Sequence, residues 1–351
     1  MSGVVSDSLT DSWTLGSLRV PNRVLLAPLA GIGNWFVRLQ AKRYGAGMAV
    51  SEMVSSHAIH HGNAKTCTEM LRIHPAEREP GLPAPGGPVS IQLFGEDPAI
   101  MRSAAAHVAA VGADAIDINM GCPVAKVQKT GAGAAMLADP DRAVAVARAA
   151  VEGAGGRERG LPVTVKLRSG LRAGDDSGFA LAHRLVAEAG VAAIAFHPRS
   201  AAVQHRGTPD YAMAAALVRS LPAPVILSGG LTDAAHIRRV FADTGAAAVM
   251  LARGALGNPW LFADLVHGRT AAPTQEEVLS ELDWTIDCAV EHLGEERAGR
   301  YLRKFYAWYI ARMGLEPMSA KDLSQRLQTA PTLAEARTVL ALHGRPLAFA
   351  S

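Results

Sequence analysis

Eight short apolar runs, with six alanine-rich stretches of helical length between them, constrain this 351-residue chain more than any other feature. They are RVLLAPL (23–29), MAVSEM (48–53), VSIQLF (89–94), AIDINM (115–120), VTVKLR (163–168), AIAFHP (193–198), VILSG (225–229) and AVMLAR (248–253). None shows the clean alternation of a sheet with one wet face, so they read as strands buried on both sides, as in a parallel sheet. The spacing predicts helices over 34–44, 98–111, 139–152, 178–189, 210–219 and 233–243, with start signals at Asp97-Pro98, Asp139-Pro140 and Thr232-Asp233. Eight strand–helix alternations predict an α/β fold, a (β/α)8 TIM barrel rather than an open doubly wound sheet. The glycine-rich GAGAAM (131–136) lacks the third glycine of a dinucleotide loop and does not directly follow a strand.

WTLGSLRVPN (13–22) reads as a hairpin across Gly16-Ser17 closing the barrel bottom, and the Pro/Gly-rich stretch 74–88 as a long surface loop. After residue 268 the strand-like runs stop, and 275–345 read as helices opened by Thr274 as N-cap with Glu277 three residues on. The expected organisation is a catalytic barrel over 1–268 and a smaller all-α domain over 269–351.

A net charge of +3 is too small to announce a nucleic-acid binder by composition. No run approaches a membrane span, and the N-terminus lacks the basic-then-apolar pattern of a signal peptide. Cys67, Cys122 and Cys288 are odd in number and far apart, which speaks against a disulfide framework and for a reducing cytoplasm. His57, His60 and His61 lack companion ligands, so they read as a polar loop or short helix and no metal is expected.

In such a barrel the chemistry sits where strands end. Cys122 lies there, between Gly121 and Pro123 in DINMGCPVAK, where the backbone turns; a packing cysteine would sit among Ile, Val and Leu. Ser228-Gly229-Gly230 and Ala252-Arg253 end the seventh and eighth strands, where barrels of this kind commonly bind a phosphate. Lys166, inside the fifth apolar run, brings a charge to the mouth and needs an anion or electron-rich partner. It could form a Schiff base, as in an aldolase, or hold a cofactor. Gln92, Asn119, His197 and Arg199 add convergent donors.

With APLAG, SEM, IQLFG, DINMGCPVAKV, VTVKLRSG, GTPDY, GAAAVMLARGALGNPWLF and RKFYAWY, the chain resembles the bacterial tRNA-dihydrouridine synthases from about Asn22 to Tyr309. The resemblance implies FMN, with contacts at Pro28, Leu29, Ala30, Gln92, Lys166, Ser228, Gly229, Gly230, Ala252 and Arg253. It also implies Cys122 as the catalytic acid, tRNA as substrate, and NADPH or NADH as electron donor. Ser228-Gly229-Gly230 stands where that family has Asn-Gly-Asp, His197-Pro198-Arg199-Ser200 where it has His-Gly-Arg-Thr, and GIGN (31–34) where it tends to Thr-Asp.

Reducing a uracil 5,6-double bond needs hydride at C6 and a proton at C5. A thiol is mostly protonated at neutral pH and can give that proton. Lys166, His197, Arg199 and Asn119 are donors for the charge that develops on the base. In RAGRYLRKFYAWYIARMG (297–314) the cations Arg297, Arg300, Arg303 and Lys304 share one face of a helix and read as RNA contacts. Tyr301, Phe305 and Trp308 on a neighbouring face read as core. The nearest competing expectation is an FMN barrel acting on a free small molecule, in the manner of dihydroorotate dehydrogenase.

Overall fold

The computed structural model describes residues 8–79, 87–158 and 160–343. The apolar runs form β1 (Val24–Leu26), β2 (Met48–Ser55), β3 (Val89–Phe94), β4 (Ala115–Met120), β5 (Val163–Arg168), β6 (Ala193–His197), β7 (Val225–Ser228) and β8 (Ala248–Leu251). All pair in parallel, and β8 returns to β1 with Val249 opposite Val24, so the sheet closes into a barrel without edges.

Helices α1 (Trp35–Arg43), α2 (Pro98–Ala110), α3 (Pro140–Gly153), α4 (Ser177–Arg184), α5 (Tyr211–Ser220) and α6 (Ala234–Thr244) stand between the strands. Asp97, Asp139 and Asp233 cap α2, α3 and α6 through side-chain bonds from the amides of Ile100, Arg142 and His236. A glycine lets two of these helices pack tightly: a Cβ on Gly153 of α3 would lie 2.2 Å from the Arg102 carbonyl oxygen of α2. The hairpin Trp13–Leu15 and Leu18–Val20 supplies Trp13, Leu15 and Val20 to a cluster with inward-facing Ala193, Ala195 and Met250. That plugs the N-terminal end and leaves the C-terminal end as the mouth.

The start of the stretch 74–88 is more ordered than its composition predicts. Pro75–Arg78 forms a 3₁₀ turn that buries Glu77 completely, while residues 80–86 lie outside the described ones. Arg38 of α1 meets Glu77 as a two-pronged pair, Nε to Oε1 and Nη2 to Oε2, both at 2.9 Å. Lys42 donates to the Glu77 carbonyl oxygen at 3.2 Å, and burial pushes its pKa down to about 8. The partner 39 residues upstream in α1 is what local composition cannot reveal. The histidine cluster lies on the short helix Ser56–His60 and the residue after it; no group able to hold a metal occurs among the described residues. No described helix is long and apolar enough to cross a membrane.

The chain divides into two compact units, Met1–Gly254 with Leu261–Gly268, and Ala255–Trp260 with Arg269–Ser351. The second contains α8 (Gln275–Leu293), α9 (Glu295–Ile310), α10 (Pro317–Thr329) and α11 (Leu333–His343); the helix α7 (Trp260–Val266) precedes them. Thr274 and Glu277 make the reciprocal capping box at the start of α8. On α9 the buried stripe is Ala298, Leu302, Phe305, Tyr306, Tyr309 and Ile310. Of the aromatics expected in the core only Phe305 is buried; Tyr301 and Trp308 are half-buried. Leu302 sets the stripe's centre, and Tyr309 can be buried because its hydroxyl meets Thr285 Oγ1 at 2.9 Å.

Candidate active site

Alternation along β4 builds the site from below. Ile116 and Ile118 join the outer core, so Asp117 and Asn119 face the barrel interior. Asn119 Oδ1 accepts from the Gly121 amide at 3.2 Å and the Cys122 amide at 2.9 Å, which pins the turn carrying the cysteine. Arg168 Nε donates to the Gly121 carbonyl at 2.8 Å, and the Ala134 amide donates to that of Cys122 at 3.0 Å. Gly121 is needed for closeness rather than for unusual φ. It is absent from the left-handed glycines, while a Cβ there would approach the Lys166 carbonyl oxygen to 3.3 Å.

Above this turn lies a cavity of about 350 Å³ at the strand ends. It gathers Cys122 and Asn119 from β4 and its loop, Gln92 from β3, Lys166 from β5, His197 and Arg199 from β6 and its loop, and Ser228, Gly229, Gly230, Ala252 and Arg253 from the ends of β7 and β8. Pro28 and Ala30 line it as well. Leu29 does not: its side chain is buried and its carbonyl accepts from the Ile32 and Gly33 amides. Arg297, Arg300, Arg303 and Lys304 are exposed on α9 of the other unit and line no part of this cavity. There Lys304 Nζ stands 3.9 Å over the Tyr301 ring, and Arg300 pairs with Glu296 at 2.9 Å.

The cavity is cationic. Lys166, Arg168, Arg199 and Arg253 line it, and no carboxylate is among its described lining residues. Burial, then the Arg168 charge, pushes Lys166 down to about 8. Burial, reinforced by Lys166 and Arg168, holds His197 far below the ordinary imidazole range, so it is neutral. Burial and Arg253 lower His205 to about 4. Arg199 Nη1 lies 3.3 Å from His197 Nε2, and its buried Nε has no hydrogen-bond partner. Such a donor is costly unless a ligand meets it. At the end of β7, Gly229 has φ +98° and Gly230 φ +77°. A Cβ on Gly229 would strike the His197 ring at 2.3 Å, and one on Gly230 the Tyr211 hydroxyl at 2.5 Å. Only glycine lets the backbone turn here and face the cavity.

Sequence reasoning passed over Arg168, Asp117, Thr164 and His205. Arg168 carried a usable signal, since a period of two along β5 places it on the same face as Lys166. Asp117 carried the same signal relative to Asn119. His205 sits in an irregular segment, and no local pattern marks it.

A closed parallel barrel whose strand-end mouth combines glycine turns, clustered cations and a cysteine has the architecture of a barrel enzyme. Residues 25–341 match the family model for dihydrouridine synthase. The chain is 35% identical over 305 residues to tRNA-dihydrouridine synthase B of Pseudomonas aeruginosa, covering 85% of this chain and 86% of that one. To tRNA-dihydrouridine synthase B of Vibrio vulnificus it is 34% identical over 301 residues, covering 84% and 88%. Among solved structures, morphinone reductase superposes with TM-score 0.51 at 18% identity over 77% of this chain and 92% of that one. A 2-naphthoyl-CoA reductase complex gives TM-score 0.59 at 12% identity over 75% and 52%. These structures share the barrel fold. The chain belongs to the dihydrouridine synthase family.

Proposed function

We propose that this protein reduces uridines in tRNA to dihydrouridine, with FMN in the barrel mouth and NADPH or NADH as electron source. The observation that carries the reading is the acid-free cationic cavity holding Cys122, in a chain matched to this family over residues 25–341. The residues present fit a flavin phosphate: left-handed glycines at 229 and 230, Arg253 beside them, and an unsatisfied Arg199 Nε. Pro28, Ala30, Gln92, Lys166, Ser228, Gly229, Gly230, Ala252 and Arg253, all lining the cavity, would hold the cofactor, and Leu29, which does not line it, is left out of that set. Bound and reduced, FMN supplies the hydride for C6 of the base.

The chain's own groups do the rest. Lys166, Arg199 and Asn119 present N–H groups to the uracil oxygen on which charge develops. Cys122 holds the proton for C5, and Asn119 keeps its loop pinned. A base inside folded RNA reaches the mouth only when extruded, so the enzyme also needs a surface that grips phosphates. Arg297, Arg300, Arg303 and Lys304 provide it, and a tRNA substrate places the protein in the cytoplasm. The test is mass-spectrometric mapping of dihydrouridine in tRNA from a strain lacking the gene, before and after treatment with the purified protein. Loss of the modification at defined positions and its return is the expected result. An unchanged map, with no product formed in vitro, overturns the reading.

Two further outcomes are expected. Lys166 is charged below about 8 and neutral above it, so its attraction for FMN is present at neutral pH and lost as pH rises. The FMN affinity of the apoprotein, followed by flavin fluorescence, should be level from about pH 7, where the phosphate monoester is a dianion, up to that pH and weaken above it, and this weakening should vanish in Lys166→Met. Neutralising Arg297, Arg300, Arg303 and Lys304 together should raise the KM for tRNA and leave flavin reduction by the nicotinamide unchanged. The log–log salt slope of tRNA binding should flatten by about 0.7 per lost phosphate contact. Wild-type affinity and slope in a folded quadruple variant would remove α9 from the RNA surface.

A further inference from the structure

Beneath Cys122 runs a chain of hydrogen bonds with a direction. Asp117, with no exposure to solvent, accepts from the Thr164 hydroxyl at 2.5 Å and from Gln92 Nε2 at 2.7 Å. Gln92 Oε1 accepts from Asn119 Nδ2 at 3.0 Å, and Asn119 Oδ1 accepts the Gly121 and Cys122 amides. The two ends are chemically unequal. A carboxylate can only accept, and a backbone N–H can only donate. Between them each side-chain amide has one workable orientation.

We propose that Asp117, braced by Thr164, is a positioning residue that sets the polarity of Gln92 and Asn119. That polarity holds the Cys122 loop and leaves Asn119 with only an N–H to offer a ligand, because both acceptor sites of its oxygen are taken. The second Nδ2 hydrogen now faces Met53 Sδ, 3.6 Å away, which is a weak acceptor that a carbonyl oxygen can replace. The bearing on uracil reduction rests on the function proposed above; the polarity does not. Burial raises Asp117 to about 6, so the carboxylate is ionised in the test at pH 8.

The test is a mutant cycle read by amide hydrogen exchange at Gly121 and Cys122 in the FMN-loaded full-length protein at pH 8. In Asp117→Asn the Thr164 hydroxyl reverses and accepts from the new amide, so polarity survives and exchange stays slow. In Thr164→Val the carboxylate still accepts from Gln92, and exchange again stays slow. With both changes either orientation of the amide at position 117 leaves one of its groups unpaired, but the Gly121 and Cys122 amides still require the Asn119 oxygen, so exchange stays slow there as well. Asp117→Asn also removes a charge near Lys166, but that effect is common to the single and double variants and cancels in the cycle.

Asn119→Asp gives the second measurement. In the otherwise unchanged protein it opposes a carboxylate to Gln92 Oε1, which Asp117 keeps from turning, and exchange should speed up by roughly tenfold to a hundredfold, although a carboxylate is the stronger acceptor for N–H groups. Combined with Asp117→Asn it leaves Gln92 able to turn, donating to the new carboxylate and accepting from the amide at position 117, whose oxygen takes the Thr164 hydroxyl, so exchange slows again. If that combined variant does not fold, the single variant decides by itself. Exchange in Asn119→Asp alone no faster than in the wild type, or equally fast when Asp117→Asn is added, overturns the proposal. Because exchange is read without tRNA turnover, its outcome is independent of whether the protein reduces uridine.

Discussion

Cys122→Ala is expected to slow the reoxidation of the reduced enzyme by tRNA by about 10²–10⁴-fold, the usual contribution of a positioned general acid. The variant should bind FMN and accept electrons from the nicotinamide as the wild type does, since Cys122 comes from the β4 loop while the glycines and Arg253 stand at the ends of β7 and β8. Stopped-flow absorbance separates the two half-reactions. The loop itself should survive the substitution, because it is held through backbone groups: the Cys122 amide on Asn119, and the Gly121 carbonyl on Arg168. Reoxidation at the wild-type rate would make Cys122 a structural residue. Cys67 and Cys288 do not line the cavity, and Ser or Ala at either position should leave both half-reactions intact.

Arg38→Met is expected to destabilise the protein by about 3–5 kcal/mol, because it strands the fully buried Glu77 carboxylate. The same arginine also donates to the carbonyls of Gly33 and Arg72, so its loss removes a donor from each. Replacing both partners, Arg38→Met with Glu77→Leu, should cost less than Arg38→Met alone, since the stranded carboxylate is gone and Lys42, which loses the attraction of Glu77, also loses the repulsion of Arg38. Urea unfolding followed by circular dichroism measures all three. A cost for Arg38→Met in the range of an exposed pair, below about 1 kcal/mol, would mean that the carboxylate reaches water.

The barrel was legible in the chain because its determinants are local. Each run of branched apolar residues is one strand, each alanine-rich stretch one helix, and Asp97, Asp139 and Asp233 cap the helices they precede in sequence. Once eight such units are counted, closure puts every strand end at one mouth. That is why Cys122, Lys166, His197, Gly229 and Arg253, read as separate strand ends, meet around one cavity. The helical region was legible from its capping box and its periodicity, although beside Phe305 the buried stripe of α9 carries Tyr306 and Tyr309 rather than Tyr301 and Trp308.

What the sequence by itself determined, then, is the order of elements and the residue types at the strand ends. Only the tertiary structure decided which polar groups complete one another. Glu77 is buried because Arg38 waits 39 residues earlier, and Arg168 reaches carbonyls at Gly121, Ser200 and Gln204. Asp117 takes its partners from β3 and β5, on either side of it in the barrel. The physical reason is that backbone propensity acts over a few residues, whereas a buried charge or amide is satisfied by whatever the closed sheet brings within about 3 Å, at any separation along the chain.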